Sequence, residues 1–155
     1  MSGLFISFEG VEGAGKSTQI DLAVRDIRDA GHKVHVTREP GGCPLAERIR
    51  ELILDAREDP PVPRAELFLL QAARAQHVER VIRPKLDQGC VVVCDRFYDS
   101  TIAYQGFARG LDLAFTRSAI EYAIAGVRPA VTIVLDLPPA KGLARQHERN
   151  RMENE

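Results

Sequence analysis

The chain has 155 residues, 45% of them hydrophobic, and its 21 basic and 22 acidic residues give a net charge of −1. This length and composition predict a single domain over 1–155 with a hydrophobic core. The balanced charge argues against a nucleic acid polymer or a membrane surface as a partner. We find neither an apolar stretch long enough to cross a bilayer nor a signal-peptide pattern, so a cytoplasmic protein is expected. The three cysteines lack zinc-site spacing and are expected to be reduced.

Four apolar segments rich in β-branched residues predict strands at 4–8, 33–37, 91–94 and 131–135, and the first and third have the pattern of buried strands. Helical patterns occupy 17–30, 66–86 and 139–155, and loops rich in proline and glycine occupy 40–42 and 59–63. This alternation predicts an α/β fold, with a parallel sheet flanked by helices. Such sheets bind ligands at the carboxyl ends of their strands. The chain places charged residues at those ends, namely Glu9, Arg38, Glu39, Asp95, Arg96 and Asp136.

A glycine-rich loop separates the first predicted strand from the first predicted helix. Its residues match the phosphate-binding pattern G-x-x-x-x-G-K-[ST] at every position: Gly10, Val11, Glu12, Gly13, Ala14, Gly15, Lys16, Ser17 and Thr18. In such loops the backbone N–H groups approach phosphate oxygens, the lysine reaches the β and γ phosphates, and the hydroxyl ligates Mg²⁺. The chain is therefore expected to bind a nucleoside triphosphate.

The last predicted helix, at 139–155, is strongly charged, and no further strand follows it to close the sheet. A bare sheet edge leaves backbone groups unpaired and invites association. We therefore expect either an incomplete chain or a sheet edge that a partner covers.

Other residues narrow the class of nucleotide-binding protein. The sequence has no Asn-Lys-x-Asp segment of the kind that reads guanine, and it is too short for a motor or transporter ATPase with a coupling domain. A kinase of small molecules needs a second anionic pocket and cations around the transferred phosphoryl group. The arginines of this chain fit that requirement.

Six segments resemble bacterial thymidylate kinases, in the same order and at matching spacing: 8–19, 37–42, 72–77, 95–97, 100–106 and 150–155. The resemblance runs from about residue 4 to the last residue. It implies a three-layer P-loop NTPase fold, usually dimeric, whose parallel sheet has five strands in the family and four here. It also implies transfer of the γ-phosphoryl group of MgATP to dTMP.

The resemblance assigns roles on the phosphoryl-donor side. Lys16 would neutralise charge on the β and γ phosphates, with Mg²⁺ held by Ser17 and Asp95. Arg96 would grip the phosphates between donor and acceptor, a task that suits a planar bidentate donor. A helix cap remains the alternative for Asp95, and a surface salt bridge for Arg96. Glu9 either belongs to the surroundings of the metal or is a buried partner of an arginine.

On the acceptor side, the resemblance places Arg74 near the thymine ring, Thr101 within hydrogen-bonding reach of the base, and Tyr104 against the sugar 2′ position. Tyr104 would thus favour deoxyribose over ribose. Glu12 would accept a hydrogen bond from the sugar 3′-hydroxyl, unless it is a solvated loop residue. Ordinary helix packing remains the alternative for Arg74, Thr101 and Tyr104. Arg38 and Arg50 are candidates for binding the acceptor phosphate, unless they are surface arginines, and Gln105 is a further candidate for a substrate contact.

Two departures from the family pattern bear on function. The family often has a phenylalanine that stacks on thymine four residues before the arginine matching Arg74, where this chain has Leu70. Phe68 lies about 200° away around a helix and does not obviously replace it. Some members carry a catalytic arginine in the phosphate loop, where this chain has Gly13. The compensating cations are expected from a lid at about 142–152, which contains Arg145, Arg149 and Arg151. The alternative for these three arginines is a solvent-exposed position on a helix.

Two other functions stay open at this stage. A base pocket remodelled around Leu70 would suit a kinase of a different nucleoside monophosphate. A chain without the elements that complete the sheet could instead be a catalytically incompetent ATP-binding module.

Overall fold

The structure is a computed structural model that describes residues 3–54 and 59–152, with the backbone alone for 146–152. In chain order its elements are β1 (Leu4–Gly10), α1 (Lys16–Asp29), β2 (Val34–Arg38), α2 (Pro44–Leu54), α3 (Pro63–His77), α4 (Arg83–Asp87), β3 (Val91–Asp95), α5 (Tyr98–Thr101), α6 (Leu113–Ile124), β4 (Val131–Leu135) and α7 (Pro139–Met152). Two π-helical segments, Val78–Ile82 and Ile102–Ala108, continue α3 and α5. The four predicted strands are confirmed, each within two residues of its predicted bounds.

The strands form one parallel sheet in the order β2-β3-β1-β4. The central strands β1 and β3 are neighbours, and Phe8 pairs in register with Asp95. The Arg96 N–H donates to the Phe8 carbonyl at 2.8 Å, which extends the pairing one residue beyond β3. Because both strands run in the same direction, the loop after β1 and the residues after Asp95 leave the sheet side by side.

Helices cover both faces of the sheet, as the alternation of side chains along β3 requires. Val92 and Cys94 belong to a buried cluster with side chains from α6 and from the π-helical segment after α3. Val91 and Val93 belong to a second buried cluster, with α1, on the opposite face. A strand that is buried on both faces has consecutive apolar residues, which is the pattern seen in the sequence. The three-layer α/β fold is therefore confirmed.

The long helix predicted over 66–86 is present as α3, the π-helical segment Val78–Ile82 and α4. The sequence analysis makes no prediction for α2, which packs on α3 through a small buried cluster containing Ala46, Ile49 and Ala73. All three cysteines are buried and free of disulfide bonds. Among the described helices, none combines the length and apolar character needed to cross a bilayer.

Candidate active site

A cavity of about 540 Å³ opens at the carboxyl edge of the sheet. Its wall runs from the phosphate loop, past the end of β3, to α3 and the π-helical segment after α5. Most residues predicted for the site line it: Glu12, Gly13, Gly15, Lys16, Ser17, Thr18, Arg38, Arg50, Arg74, Asp95, Arg96, Thr101, Tyr104, Gln105 and Arg145. Four predicted residues do not line it: Glu9, Gly10, Val11 and Ala14. The side chains of Arg149 and Arg151 lie outside the described part of the chain.

The phosphate loop combines left-handed glycines with a buried lysine. Gly13 and Gly15 have φ values of 72° and 91°, which glycine adopts without steric cost. The Lys16 Nζ donates to the Gly10 and Val11 carbonyls, each at 3.0 Å. Burial lowers the pKa of Lys16, and the Arg96 guanidinium lowers it further. The Lys16 ammonium group therefore lies beside the N-terminus of α1, where the backbone N–H groups also favour binding of an anion.

Asp95 ends β3 with an unpaired carboxylate oxygen. Its Oδ1 is buried and has no hydrogen-bond partner among the described residues. Burial raises the pKa of Asp95, and the nearby Lys16 opposes that shift. Proteins usually hold Mg²⁺ with one or two carboxylates, assisted by waters and substrate phosphates. The free oxygen of Asp95 and the Ser17 hydroxyl, which line one cavity, fit a Mg²⁺ ion that binds with a nucleotide.

Glu9 is held by the turn that follows β3. Its Oε1 accepts from the Phe97 N–H and its Oε2 from the Ser100 hydroxyl, both at 2.7 Å. The prediction of a buried arginine partner is therefore wrong, because the turn that follows β3 supplies both donors. Burial raises the pKa of Glu9 and these two hydrogen bonds lower it. Glu9 thus fixes the turn in which Arg96 lies.

Arg96 connects the two central strands across the cavity. Its Nη2 donates to Glu12 Oε1 at 2.6 Å and its Nη1 to the Ser100 hydroxyl at 3.1 Å. The guanidinium also lies 5.7 Å from the centre of the Tyr104 ring. The backbone of Arg96 is left-handed, with φ of 67°, which is a strained conformation for a residue with a side chain. This conformation turns the arginine away from the course of β3 and into the cavity.

Arg74 is buried at the far end of the cavity, with 3% of its surface exposed. Its Nε donates to Glu39 Oε2 at 2.7 Å, its Nη1 to Gln71 at 2.9 Å, and its Nη2 to Thr101 Oγ1 at 3.0 Å. The guanidinium lies 5.5 Å from the centre of the Phe97 ring. The predicted pair Arg74 and Thr101 is therefore joined directly, and the charge of the arginine is balanced inside the protein.

Glu39 is held in turn by a buried histidine. The His77 Nδ1 lies 3.1 Å from Glu39 Oε1, and its Nε2 lies 2.7 Å from the Thr37 hydroxyl. Thr37 lies in β2, and Glu39 follows that strand directly. A continuous hydrogen-bonded chain therefore leads from the sheet edge to Arg74 and fixes the position of its guanidinium.

The remaining acceptor-side residues differ in exposure. Gln105 is buried and donates to Glu66 Oε1 at 2.5 Å, whereas Tyr104 is 46% exposed. Leu70 lines the cavity. Phe68 is 57% exposed, and its ring packs edge-on against Phe115 with 6.1 Å between centres. Phe68 is thus turned away from the cavity, and Leu70 is turned toward it.

Three further arginines line the cavity near the phosphate loop and α2. Arg38 donates to Glu47 at 2.8 Å, and Arg50 donates to the Pro40 carbonyl at 3.0 Å. Arg145 of α7 approaches the Gly13 carbonyl at 3.5 Å. The cavity therefore has cations at the phosphate loop, at the end of β2, at α2 and at α7.

Comparison with known proteins decides the family. The family described as thymidylate kinase matches residues 8–155 of this chain. The chain belongs to the thymidylate kinase family. The thymidylate kinase of Geobacter sulfurreducens is 55% identical over 147 residues, which cover 95% of this chain and 69% of that protein. That of Syntrophotalea carbinolica is 51% identical over 96% of this chain and 68% of the relative.

A solved structure supports the same assignment within the thymidylate kinase family. The crystal structure of the thymidylate kinase from Ehrlichia chaffeensis superposes with a TM-score of 0.82 at 35% sequence identity. The match covers 96% of this chain and 84% of that one. The likeness therefore extends over the sheet and over the helices that form the cavity.

Sequence reasoning missed several polar residues that organise the site of this thymidylate kinase family member. Glu39, Glu66, Gln71 and His77 are all buried, and each bonds to a residue of the cavity wall or to its partner. Three of the four lie on α3, at positions that otherwise face apolar side chains. A polar residue on the apolar face of a helix requires a buried partner, and that signal could have identified them.

The Glu39 to Arg74 pair carries the first mutational prediction. We expect Glu39→Gln to lower the free energy of unfolding by about 3 kcal/mol or more, because it leaves the buried Arg74 charge without its counter-ion. Glu79→Gln is the matched control, since Glu79 pairs with Arg83 on the surface and such pairs contribute about 0–1 kcal/mol. Urea denaturation of both variants measures the difference. Equal losses would contradict a structural role for the buried pair.

Proposed function

We propose that this chain transfers the γ-phosphoryl group of ATP to dTMP, giving ADP and dTDP. The observation that carries the proposal is the single cavity that joins the phosphate loop to the buried Arg74 and Thr101 pair. A kinase needs such a joint site, because donor and acceptor must meet without water between them. Membership of the thymidylate kinase family supports dTMP as the acceptor.

The donor side is proposed to work through charge. The backbone from Gly13 to Thr18 would wrap the phosphates, and Lys16 would exchange its bonds to the loop carbonyls for phosphate oxygens. Ser17 and Asp95 would hold Mg²⁺, which supplies charge neutralisation on the nucleotide phosphates when it is bound. Glu9 would not bind the ion directly and would act by fixing the turn after Asp95.

The transfer itself requires no general base, since a monophosphate oxygen of the acceptor is already a competent nucleophile. Charge spreads over the equatorial oxygens of the transferred group, and cations placed around it stabilise that state. We assign this role to Arg96 and to Arg145, with a lid at about 142–152. Arg149 and Arg151 remain predicted members of the lid.

On the acceptor side, we propose that different residues bind the base and the sugar. Arg74, held rigid by Glu39, and Thr101 would bind the polar edge of thymine. Tyr104 would crowd the 2′ position of the sugar, and Glu12 would bind its 3′-hydroxyl. The phosphate contacts are assigned to Arg38 and Arg50, with Gln105 as a further contact on the base side.

The test is ADP formation by the purified 155-residue chain with MgATP, in the presence of dTMP, dUMP, dGMP or AMP at equal concentration. We expect turnover that depends on dTMP and on Mg²⁺. Turnover with another monophosphate in preference to dTMP would contradict the assigned substrate and point to the base pocket around Leu70. Binding of ATP without turnover on any acceptor, in a folded chain, would favour an ATP-binding module.

Homodimer formation, the cytoplasmic location and the lack of a nucleic acid partner remain predictions. Exposed aromatic side chains on α3 and α6 support the first, because Phe68, Phe115 and Tyr122 are 57%, 52% and 91% exposed. Such side chains are enriched at protein interfaces.

A further inference from the structure

Two glycines bring α7 into direct backbone contact with the phosphate loop. A Cβ added to Gly142 would lie 2.2 Å from the Glu12 carbonyl oxygen and 3.2 Å from a methyl group of Val11. A Cβ added to Gly13 would lie 2.2 Å from the Gly142 carbonyl oxygen. Each glycine therefore occupies the space that a side chain on the other would need. The obstructing atoms belong to the backbone, so a rotamer change cannot relieve the overlap.

Gly142 is the buried point of an otherwise exposed helix turn. Residues 139–141 and 143–145 are all exposed. The first turn of α7 is anchored by the Pro138 carbonyl, which accepts from the Lys141 and Gly142 N–H groups. Among residues 139–145, Gly142 alone is buried, and the phosphate loop is what buries it.

Arg145 follows Gly142 by three residues and lies on the same face of the helix. It lines the cavity, and its Nη1 is the nitrogen that approaches the Gly13 carbonyl. The distance between α7 and the phosphate loop therefore sets how far the Arg145 guanidinium reaches over the loop. That distance is set by the absence of a side chain at residue 142.

We propose that Gly142 is a positioning residue for phosphoryl transfer: its close contact with Gly13 seats α7 on the phosphate loop and places Arg145 over the phosphates. The inference rests on the proposed kinase function and on the role assigned there to Arg145. Gly142 touches neither ATP nor the acceptor in this scheme and acts through Arg145. Any side chain at residue 142 lifts α7 and withdraws the arginine.

The substitution Gly142→Ala separates this role from helix stability. Alanine is a better helix former than glycine, so the change favours α7 as an isolated helix. A role in helix formation alone therefore predicts unchanged or improved activity. The positioning role predicts the opposite, because the added methyl group meets the Glu12 carbonyl.

We would measure kcat and both KM values for the wild type, Gly142→Ala, Arg145→Ala and the double variant. Lys141→Ala is the control, because Lys141 is an exposed neighbour that lies outside the proposed lid. Misplacement of a catalytic group by about 1 Å can cost about 10²-fold in rate, so we expect a loss of about that size in kcat for Gly142→Ala. The KM for dTMP and the thermal midpoint should match those of the wild type. The double variant should be no slower than Arg145→Ala, because both changes remove one interaction.

A full additional loss of kcat in the double variant would overturn the proposal, since the methyl group would then act on the phosphate loop itself. Wild-type kcat in Gly142→Ala would overturn it as well. If the wild type shows no turnover dependent on dTMP, the proposed function fails on its own. The Kd of MgATP for the wild type, the two single variants and the double variant then decides the inference. The proposal is supported if Gly142→Ala binds MgATP more weakly than the wild type while the double variant binds it as tightly as Arg145→Ala. Any other pattern contradicts it.

Discussion

Replacement of Arg96 by alanine should lower kcat for dTMP phosphorylation by about 10³-fold or more, as the loss of a phosphate-gripping arginine does in other phosphoryl-transfer enzymes. The reason is the position of the guanidinium, which bonds to Glu12 of the phosphate loop and to Ser100 on the acceptor side. No second described side chain makes both connections. Steady-state kinetics with MgATP and dTMP measures the loss.

The fold should survive this change, because the Arg96 partner Glu12 is 56% exposed and can be solvated. Arg128→Ala is the matched control: Arg128 is half exposed and pairs with Glu121 away from the cavity, so its kcat should equal that of the wild type. Arg96→Lys keeps the charge and loses the bidentate geometry, and should recover only part of the rate. Wild-type kcat in Arg96→Ala would contradict the role of this residue.

Lys16→Ala should reduce kcat by about 10²-fold or more, the usual result when one preorganised donor to a developing charge is removed. Lys16 is 7% exposed and held at the loop carbonyls of Gly10 and Val11. Without it, the β and γ phosphates lose the one cation that the phosphate loop itself supplies. The KM for ATP should rise with the loss of kcat, and the KM for dTMP should not change.

The control for this variant is Lys33→Ala, at an exposed residue before β2. Far-ultraviolet circular dichroism should show the same helix content for both variants. An equal rise in both KM values for Lys16→Ala would indicate a general distortion of the cavity and would count against a local role at the phosphates.

The parts of the fold that were predictable from sequence are those set by local patterns. The run at 91–95 predicts a strand because a buried parallel strand needs apolar side chains on both faces. The run at 34–38 forms a half-exposed edge strand, and its β-branched residues are the signal that predicts it. The phosphate loop is predictable because its chemistry fixes the residue type at each position. The sequence therefore places Lys16 and Ser17 at the cavity through the loop pattern, and Asp95 through its position at the end of a predicted strand.

The parts that could not be predicted depend on contacts between distant segments. His77 and Glu39 are separated by 38 positions and Gln105 and Glu66 by 39, and neither pair has a local signature. The donors that satisfy Glu9 come from a turn nearly ninety residues later, at Phe97 and Ser100. The helix α2 is a different case, because Ala46, Ile49 and Ile53 lie at helical spacing and pack against α3, so its local pattern is sufficient to predict it.

Engineering this enzyme for heat resistance meets a conflict at Arg96. The change Arg96→Gly would relieve the strain of the left-handed backbone, which is worth on the order of 1 kcal/mol of folding free energy. A ranking of substitutions by this backbone term alone therefore favours a variant that lacks the catalytic arginine. Ala125 has a similar backbone, with φ of 45°, and ends α6 away from the cavity. The change Ala125→Gly therefore offers the same relief of strain outside the catalytic cavity. Arg96 should be kept unchanged when stabilising substitutions are selected.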